Sequence, residues 1–554
     1  MKLKTLILFL VSLVINSYFR RMIRPFIRLQ FLFLFALANS AFGQDILFTL
    51  NRDVNTRIEP FLNSTKASFH SSIKPFITMD LKREMNLDSV FSPIHPNSKF
   101  YKTWVGRKLF SEHFLYVDTD DIKLSVDPIF NFQIGKEKNN LNTLFVNTKG
   151  VLVQGSVHDK FYFYSGFHEN QARYATYIDS TVRLYNVVPG QGIVKYLPKQ
   201  VFDFSQSIGG IGYILDKHFD FLLAQDKNFI GDGYRSLLLS DNSYSYPFLK
   251  INMTFWKFRY TVIYAVFRDL QQNIDPNIGF YKKYNTTHNL DLNIGKKNKI
   301  SVSIFETVMW KPAASRGYEL AYLNPVLFIR PVENSLGSPD NVLLGSNIKW
   351  KINKLNTIYS QIMLDEFLLN EVKSGNGWWG NKQGIQFGFK SAAIFGIKNL
   401  NIQSEVNVVR PYTYSHRTSE QSYSHYNQAL AHPLGSNFVE SISFINYRYK
   451  NWFGEMKVQY AQMGRDTGGF NLGNNIFQSY DTRNSEYGHY FFDGLKSTLT
   501  TIDLRLNYLI NPKTNLVIEA GVTTRNFKNS IQNDLSTVFY FGIRTSLENY
   551  YFDY

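Results

Sequence analysis

The sequence predicts an all-β chain: a transmembrane antiparallel β-barrel of about 18 strands, with a small, partly helical N-terminal segment on the periplasmic side. Three observations predict it. Period-2 alternation of apolar and polar residues recurs from about residue 121 to the C-terminus. Short turns and long loops alternate along the same stretch. Aromatic residues make up 16% of the chain, with 48 Phe and 35 Tyr, yet mean hydropathy is slightly negative. That combination suits strands with one lipid-facing and one lumen-facing side. A helical membrane protein instead needs ~20 consecutive apolar residues per span.

Residues 1–43 read as an export signal. Leu6–Val14 is largely apolar, and a second apolar run, Phe31–Ala38, follows Arg20, Arg21, Arg24 and Arg28. Ala41-Phe42-Gly43 puts small residues where a signal peptidase reads, with Gln44 after the cut, and Met22 offers a second start. The competing reading, a short membrane anchor, is disfavoured because the second run is shorter than a span requires. The chain has no cysteine, which excludes lipoprotein acylation, disulfides and thiolate chemistry.

The net charge is +16; Lys2, Lys4, Arg20, Arg21, Arg24 and Arg28 supply six of these charges, leaving the rest of the chain near +10. A basic surface suits nucleic acid, anionic lipid or acidic glycan. For an exported chain the expected partners are outer-membrane lipid, lipopolysaccharide phosphates and acidic surface polysaccharide, not nucleic acid.

Residues 44–120 mix charged and apolar residues, with a Pro-containing stretch at Phe69–Phe76 and a helix-like run at Lys102–Phe114. They are expected to form a periplasmic or lumenal segment, too short for the separate plug domain of a large importer. Residues 121–554 are expected to form the barrel. Its strands are predicted at 121–136, 142–156, 160–167, 201–213, 218–225, 246–255, 258–269, 289–296, 299–309, 342–352, 355–364, 383–391, 398–409, 437–448, 452–463, 497–509, 513–525 and 535–548. In the sixteenth, Ile502, Leu504, Leu506 and Tyr508 share one face, and Asp503, Arg505 and Asn507 the other. The second face is too polar for a packed core and suits a hydrated lumen.

Short turns such as Trp256-Lys257, Asn353-Lys354 and Lys450-Asn451 follow the even-numbered strands. Long stretches follow the odd-numbered ones from the third onward: 168–200, 226–245, 270–288, 310–341, 365–382, 410–436 and 464–496. This is the pattern of short periplasmic turns and long external loops. The last strand alternates and runs toward Tyr550-Tyr551-Phe552-Asp553-Tyr554, a terminal aromatic signal of the kind barrel-insertion machinery recognises.

Several blocks resemble a known family. Gly231-Asp232-Gly233-Tyr234-Arg235-Ser236-Leu237-Leu238-Leu239-Ser240-Asp241-Asn242 with Tyr246-Pro247 looks like a signature of Wzi-type capsule assembly barrels. Arg316-Gly317-Tyr318-Glu319, Tyr322-Leu323-Asn324-Pro325 and Arg330-Pro331-Val332-Glu333 resemble a second block. Leu364-Asp365-Glu366-Phe367 with Trp379-Gly380-Asn381-Lys382 resembles a third. Val409–His416 and Leu430–Phe438, then Glu440, resemble a fourth. With the ending Gly542–Thr545, the set is similar to the Bacteroidetes gliding motility proteins called RemB, a branch of that family. The resemblance implies a Gram-negative outer-membrane barrel of about 18 strands. It also implies a small periplasmic helical part and a lectin-like role in holding surface polysaccharide; its branch implies gliding. No family site motif maps cleanly onto this chain.

Polar groups beside aromatic rings recognise sugars. The residues singled out on that basis are Tyr234, Arg235, Asp241 and Asn242; Arg316, Tyr318, Glu319, Arg330 and Glu333; and Trp378, Trp379, Arg410 and Tyr412. They bind glycan, or they form a salt-bridged loop plug, or both. Asp365, Glu366 and Glu371 near the tryptophans could serve a glycosidase, which needs two carboxylates roughly 5–9.5 Å apart. A polar external loop is the preferred reading. His416, His425 and His432 lack metal-site spacing, and no Gly-x-Ser-x-Gly elbow or phosphate-binding loop occurs. No enzyme activity, metal or cofactor is expected.

The function expected is a plugged barrel that binds or organises surface polysaccharide and supports adhesion or gliding. The alternatives are a diffusion porin for oligosaccharides or ions, suited by lumenal Arg505, Glu519 and Arg544, and a partner subunit of a motility or secretion machine.

Overall fold

The structure is a computed structural model describing residues 47–64, 69–92, 99–272, 279–295, 298–312, 319–325, 329–337, 340–545 and 547–554. The predicted export segment lies outside them.

Eighteen strands among the described residues close into one antiparallel barrel. They are β1 Ile122–Glu137, β2 Thr143–Val157, β3 Phe161–Arg173, β4 Val201–Ile214, β5 Phe219–Asp226 and β6 Tyr246–Phe255. Next come β7 Phe258–Asp269, β8 Tyr281–Ile294, β9 Ile300–Trp310, β10 Asn341–Lys351, β11 Asn356–Glu366 and β12 Lys382–Ser391. The circuit ends with β13 Leu400–Val409, β14 Phe438–Tyr449, β15 Trp452–Arg465, β16 Leu495–Asn511, β17 Leu516–Lys528 and β18 Asn533–Arg544. Each strand pairs with its sequence neighbour, and β18 pairs with β1 over Val538–Arg544 and Asn131–Glu137, so no edge is left open.

Alternation positions the faces. On β16, Ile502, Leu504, Leu506 and Tyr508 are exposed on the outer wall, while Arg505 and Asn507 turn inward. On β15, Trp452, Met456 and Tyr460 point outward and Gln459 is buried inside. The outer wall is thus an apolar belt facing hydrocarbon. Turns at one end are short, down to Trp256-Lys257 between β6 and β7, with Trp256 at φ 51°. By the usual orientation this end is periplasmic.

Three strand ends differ from the sequence expectation by four residues or more. β3 runs on to Arg173 instead of ending at 167, because His168–Ala172 pair with Phe202–Gln206 of β4. β8 begins at Tyr281 instead of 289, because Tyr281–Lys283 pair with Phe267–Asp269 above the predicted start. Expected to run to 548, β18 stops at Arg544. The aromatic end therefore does not continue the lipid-facing strand: Tyr551 and Asp553 are buried. The reason is chemical. A carboxylate and tyrosine hydroxyls have no partner in hydrocarbon, whereas inside the barrel Arg235 and Lys457 meet Asp553, and Asp241 meets Tyr551.

The N-terminal segment lies in the lumen. Helix α1, Arg52–Leu62, starts at the N-cap Asn51, whose side chain accepts from Val54 N. Helix α2, Thr78–Glu84, follows two short extended pieces. Ile58, Leu62, Phe69, Phe76, Leu81 and Leu87 form a small apolar core of their own. Wall residues around the circuit hold this unit: Lys390 on β12 to Glu59 (2.6 Å), Glu455 on β15 to Arg52 (3.0 Å), and Arg544 on β18 to Asp53 (2.5 Å). Asp291 on β8 takes His70 at 3.0 Å, and Arg259 on β7 takes Asp80 at 3.4 Å.

Candidate functional site: the lumenal plug and its outer cap

The loop after β5, residues 227–245, enters the barrel instead of projecting from it. Ile230 and Phe229 pair with Ile73 and Lys74 of the N-terminal segment, so an external loop and the N-terminus meet as strands inside the lumen. Two glycines permit the approach. Gly231 sits at φ +147°, and a Cβ there would lie 2.4 Å from Gln361 Nε2. Gly233 has Glu405 Oε2 and the Arg235 carbonyl within 2.8 Å of the Cβ position. Beyond them Leu237, Leu238 and Leu239 are buried against wall residues including Phe305, Leu343, Met363 and Val409. Burial of three leucines contributes about 5–8 kcal/mol of transfer free energy, which holds the loop down.

Lys227, Asp232 and Arg235 of this loop segment form ion pairs, and Asp241 is held by hydrogen bonds. Asp232 accepts from Ser71 Oγ (2.7 Å) and Asn347 Nδ2 (3.0 Å) and pairs with Lys349 (3.2 Å). Glu405 on β13 accepts from the backbone N–H groups of Tyr234 and Arg235, both at 2.9 Å. The Arg235 guanidinium bridges Glu440 on β14 and Asp553 of the C-terminal tail, each at 3.0 Å. Gln459 donates to both Glu440 Oε1 and the Asp553 carbonyl at 2.8 Å. Tyr234 Oη donates to Asp553 at 2.8 Å. Asp241 accepts from Tyr551 Oη (2.7 Å) and Asn549 Nδ2 (2.9 Å), and Asn242 donates to the Ala429 carbonyl at 3.1 Å. Four separate stretches of backbone thus meet in one network: the N-terminal segment, loop 227–245, loop 410–437 and residues 547–554.

The lower part of the plug is held by Asp53. Its carboxylate takes Arg505 at 2.7 Å and Arg544 at 2.5 Å, and those cations also pair with Glu455 (2.8 Å) and Glu519 (2.7 Å). The lumenal charges that would suit a porin are therefore engaged with the plug. A cavity of about 330 Å³ remains beside it, lined by Arg173, Tyr174, Asp503, Arg505, Tyr540 and Tyr550 among others.

Burial by itself would raise the Asp553 carboxyl, but Arg235 and Lys457 outweigh it and hold it at about 2 against an ordinary 3.8. A carboxylate depressed on folding contributes stability above its unfolded value and loses it as pH falls through the folded one. The urea unfolding midpoint is expected to be flat between about pH 7 and 5 and to drop between about pH 4 and 2. Asp553→Asn should flatten that drop; an unchanged acid limb in the variant would show that the tail is not its source.

Above the plug, three loops form the outer cap. Trp379 is buried, packs at a tilt against Tyr480 with ring centroids 4.7 Å apart, and donates from Nε1 to Glu486 at 2.8 Å. The Arg483 guanidinium lies 4.2 Å over the Trp379 ring. Trp378 is half-buried beside it, with ring centroids 5.9 Å apart. Arg410 donates to the carbonyls of Asn381 (2.8 Å) and His489 (3.2 Å). Tyr412, buried at φ +65°, donates to the Asn471 carbonyl at 2.9 Å. A tyrosine in the left-handed region costs about 1 kcal/mol or more, tolerated where the surroundings hold it.

The structure brings together Tyr234, Arg235, Asp241 and Asn242 in the plug, and Trp378, Trp379, Arg410 and Tyr412 in the cap. Glu319 is apart from both and caps the turn Leu320–Leu323 through Ala321 N (3.2 Å). Arg316 and Tyr318 lie outside the described residues, and Arg330 and Glu333 fall on the helix Ile329–Leu336. Asp365 and Glu366 both pair with buried Lys382, at 2.9 and 3.2 Å, while Glu371 sits on a separate short helix, Leu369–Ser374. The histidines have unrelated partners: His432 Nε2 donates to Glu440 (2.7 Å), His425 Nδ1 accepts from Arg268 N (2.9 Å), and His416 packs on Tyr480. Sequence reasoning gave no site role to Asp53, Glu405, Glu440 or Asp553 in the plug, although Glu440 and Asp553 fall in segments it singled out, nor to Tyr480, Arg483 or Glu486 in the cap. The one available signal was the row of inward charges of both signs on the wall, which require partners when buried.

Fold and contents together define a barrel of the outer-membrane type whose lumen is filled by its own chain. Among solved structures, the chain is similar to Wzi, an outer membrane protein involved in group 1 capsule assembly in Escherichia coli and a carbohydrate-binding β-barrel. The TM-score is 0.54 at 11% identity, covering 91% of this chain and 100% of that one. It is less similar to Pseudomonas aeruginosa OprD (TM-score 0.41, 8% identity, 79% of this chain and 100% of that one). Pseudomonas aeruginosa OpdK, solved with vanillate, has TM-score 0.44 at 6% identity, covering 76% of this chain and 98% of that one. No family model matches the sequence, and no curated protein matches it.

Proposed function

We propose that this chain is a non-enzymatic, plugged outer-membrane barrel that binds or organises surface polysaccharide through its outer cap, and that it supports adhesion or gliding by holding that polysaccharide at the cell surface. The observation that carries this reading is the filled lumen. A conduit has no use for four backbone segments and a set of plug-to-wall ion pairs across its bore, whereas a rigid platform for outward-facing loops does. The cap supplies indole and phenol rings beside guanidinium groups, the chemistry that takes acidic sugars. Contacts to a repeating polymer are weak singly and strong by repetition. The likeness in fold to a carbohydrate-binding barrel supports the same reading.

In a strain lacking the protein, the fraction of surface polysaccharide shed from washed cells should rise with total synthesis unchanged. Complementation with Arg483→Ala and Trp378→Ala together should restore surface expression of the barrel but not retention. An unchanged split between cells and medium sinks the anchoring role.

The residual cavity of about 330 Å³ favours a second reading, a diffusion porin. Planar bilayers separate the two. The plugged barrel is expected to give no stable conductance steps, and regular steps from the unmodified protein would favour the porin.

A further inference from the structure

Residues 99–118 leave the lumen and run along the periplasmic rim. A 3-10 turn, Lys99–Lys102, leads into helix α3, Trp104–Phe110, capped by Thr103, whose hydroxyl accepts from Gly106 N at 3.1 Å. The two turns pack on each other at Gly106, where a Cβ would lie 2.1 Å from the Phe100 carbonyl oxygen. The knuckle is fixed to the barrel at two points. Asn511, at the periplasmic end of β16, donates to the carbonyls of Lys108 (3.1 Å) and Glu112 (2.9 Å). Asp127 on β1 receives His113 at 2.5 Å and Phe114 N at 2.8 Å.

Thus held, the knuckle leaves none of the apolar side chains of its helix fully buried. Phe100, Trp104, Val105, Leu109, Phe114 and Leu115 are each between 41% and 57% exposed. Such a dense apolar face is uncommon on a surface that meets only water.

What covers it follows from register. Leu115–Asp118 pairs with β1 below the point where β18 ends, with Leu115 opposite Val126 and Val117 opposite Leu124. Directly opposed residues share a face. Leu124 and Val126 alternate with lumenal Ser125 and Asp127, so Leu115 and Val117 lie on the outer, lipid-facing wall. The exposed face of the knuckle therefore continues the hydrocarbon belt at its periplasmic end. Lys99, Lys102, Arg107 and Lys108 accompany it, the basic-plus-aromatic composition of segments that lie in a bilayer interface. Trp256 and Trp452, both exposed, begin or precede strands at the same end.

We propose that residues 99–115 form an interfacial collar seated in the periplasmic leaflet of the bilayer, with phospholipid as the partner of the exposed apolar face. The collar ties the exit of the lumenal plug to the membrane as well as to the barrel.

Nitroxide accessibility in the full-length protein tests this. The chain contains no cysteine, so Val105→Cys and Leu109→Cys each give one labelled site, with Arg107→Cys, off the apolar face, as the comparison. The proteins are reconstituted in phosphatidylethanolamine–phosphatidylglycerol vesicles, with folding checked by heat-modifiable mobility. The expected result is an oxygen-to-nickel collision ratio several-fold higher at 105 and 109 than at 107. Equal, nickel-dominated values would place the face in water and overturn the collar. Labels shielded from both reagents would mean that a second copy or another part of the chain covers the face, which also overturns it.

Discussion

Arg235→Ala is expected to cost about 3–5 kcal/mol of barrel stability, the penalty for breaking a buried ion pair by removing one partner. The guanidinium is the only cation at 3.0 Å from both Glu440 and Asp553 among the described residues, and all three side chains are essentially inaccessible. Without it two carboxylates face each other across a site that water reaches poorly. His432 and Lys457 partly compensate, at 2.7 and 3.1 Å, and set the lower end of the range. Because Asp553 belongs to the C-terminal tail, the tail should come loose before the strands separate. The measurement is urea unfolding in detergent followed by tryptophan fluorescence, together with protease cleavage after residue 544 in vesicles. A loss below about 1 kcal/mol would mean that the network is not where the plug is held. Glu440→Gln should recover part of the loss when combined with Arg235→Ala, since it removes one stranded charge; that coupling is the sharper diagnostic.

Asp53→Ala should release the lower half of the plug. Its carboxylate is shared by Arg505 and Arg544 and joins helix α1 to the wall at β16 and β18. Burial opposes its ionisation, but the two guanidinium groups hold it well below the ordinary carboxylate range. Glu455 and Glu519 remain to satisfy the arginines, so the expected cost is about 2–4 kcal/mol rather than the full value for an isolated buried charge. Since about 1.4 kcal/mol is a factor of ten, trypsin added from the periplasmic side should cut at Arg57 roughly 30- to 1,000-fold faster. In planar bilayers the variant should show flickering openings that the parent protein lacks. If cleavage and conductance both stay at the parental level, the plug is held by its apolar contacts instead.

Much of the barrel was legible from local pattern. Ile502, Leu504, Leu506 and Tyr508 announce an outer wall two residues at a time, and Trp256-Lys257 announces a turn. Each of these needs only neighbours in sequence. The block Gly231–Asn242 was legible as important because it resembles a family signature and sets Arg235, Asp241 and Asn242 near tyrosine rings. Whether its charges met sugar or protein was not, because Arg235 finds its partners at Glu440 and Asp553, more than 200 residues away.

The sequence by itself determined the transmembrane sheet, its strand order and the orientation of its two faces, because a period of two and a hydrogen-bonded neighbour are local properties. Only the tertiary structure decided what occupies the lumen. That outcome depends on charge pairs and ring contacts between segments up to 500 residues apart, such as Asn549 Nδ2 on the Leu50 carbonyl at 2.7 Å. Such pairings have no periodicity. They form because the chain's own ends and loops, in filling the lumen, displace the water that would otherwise solvate the inward charges, so those charges must find partners in the plug.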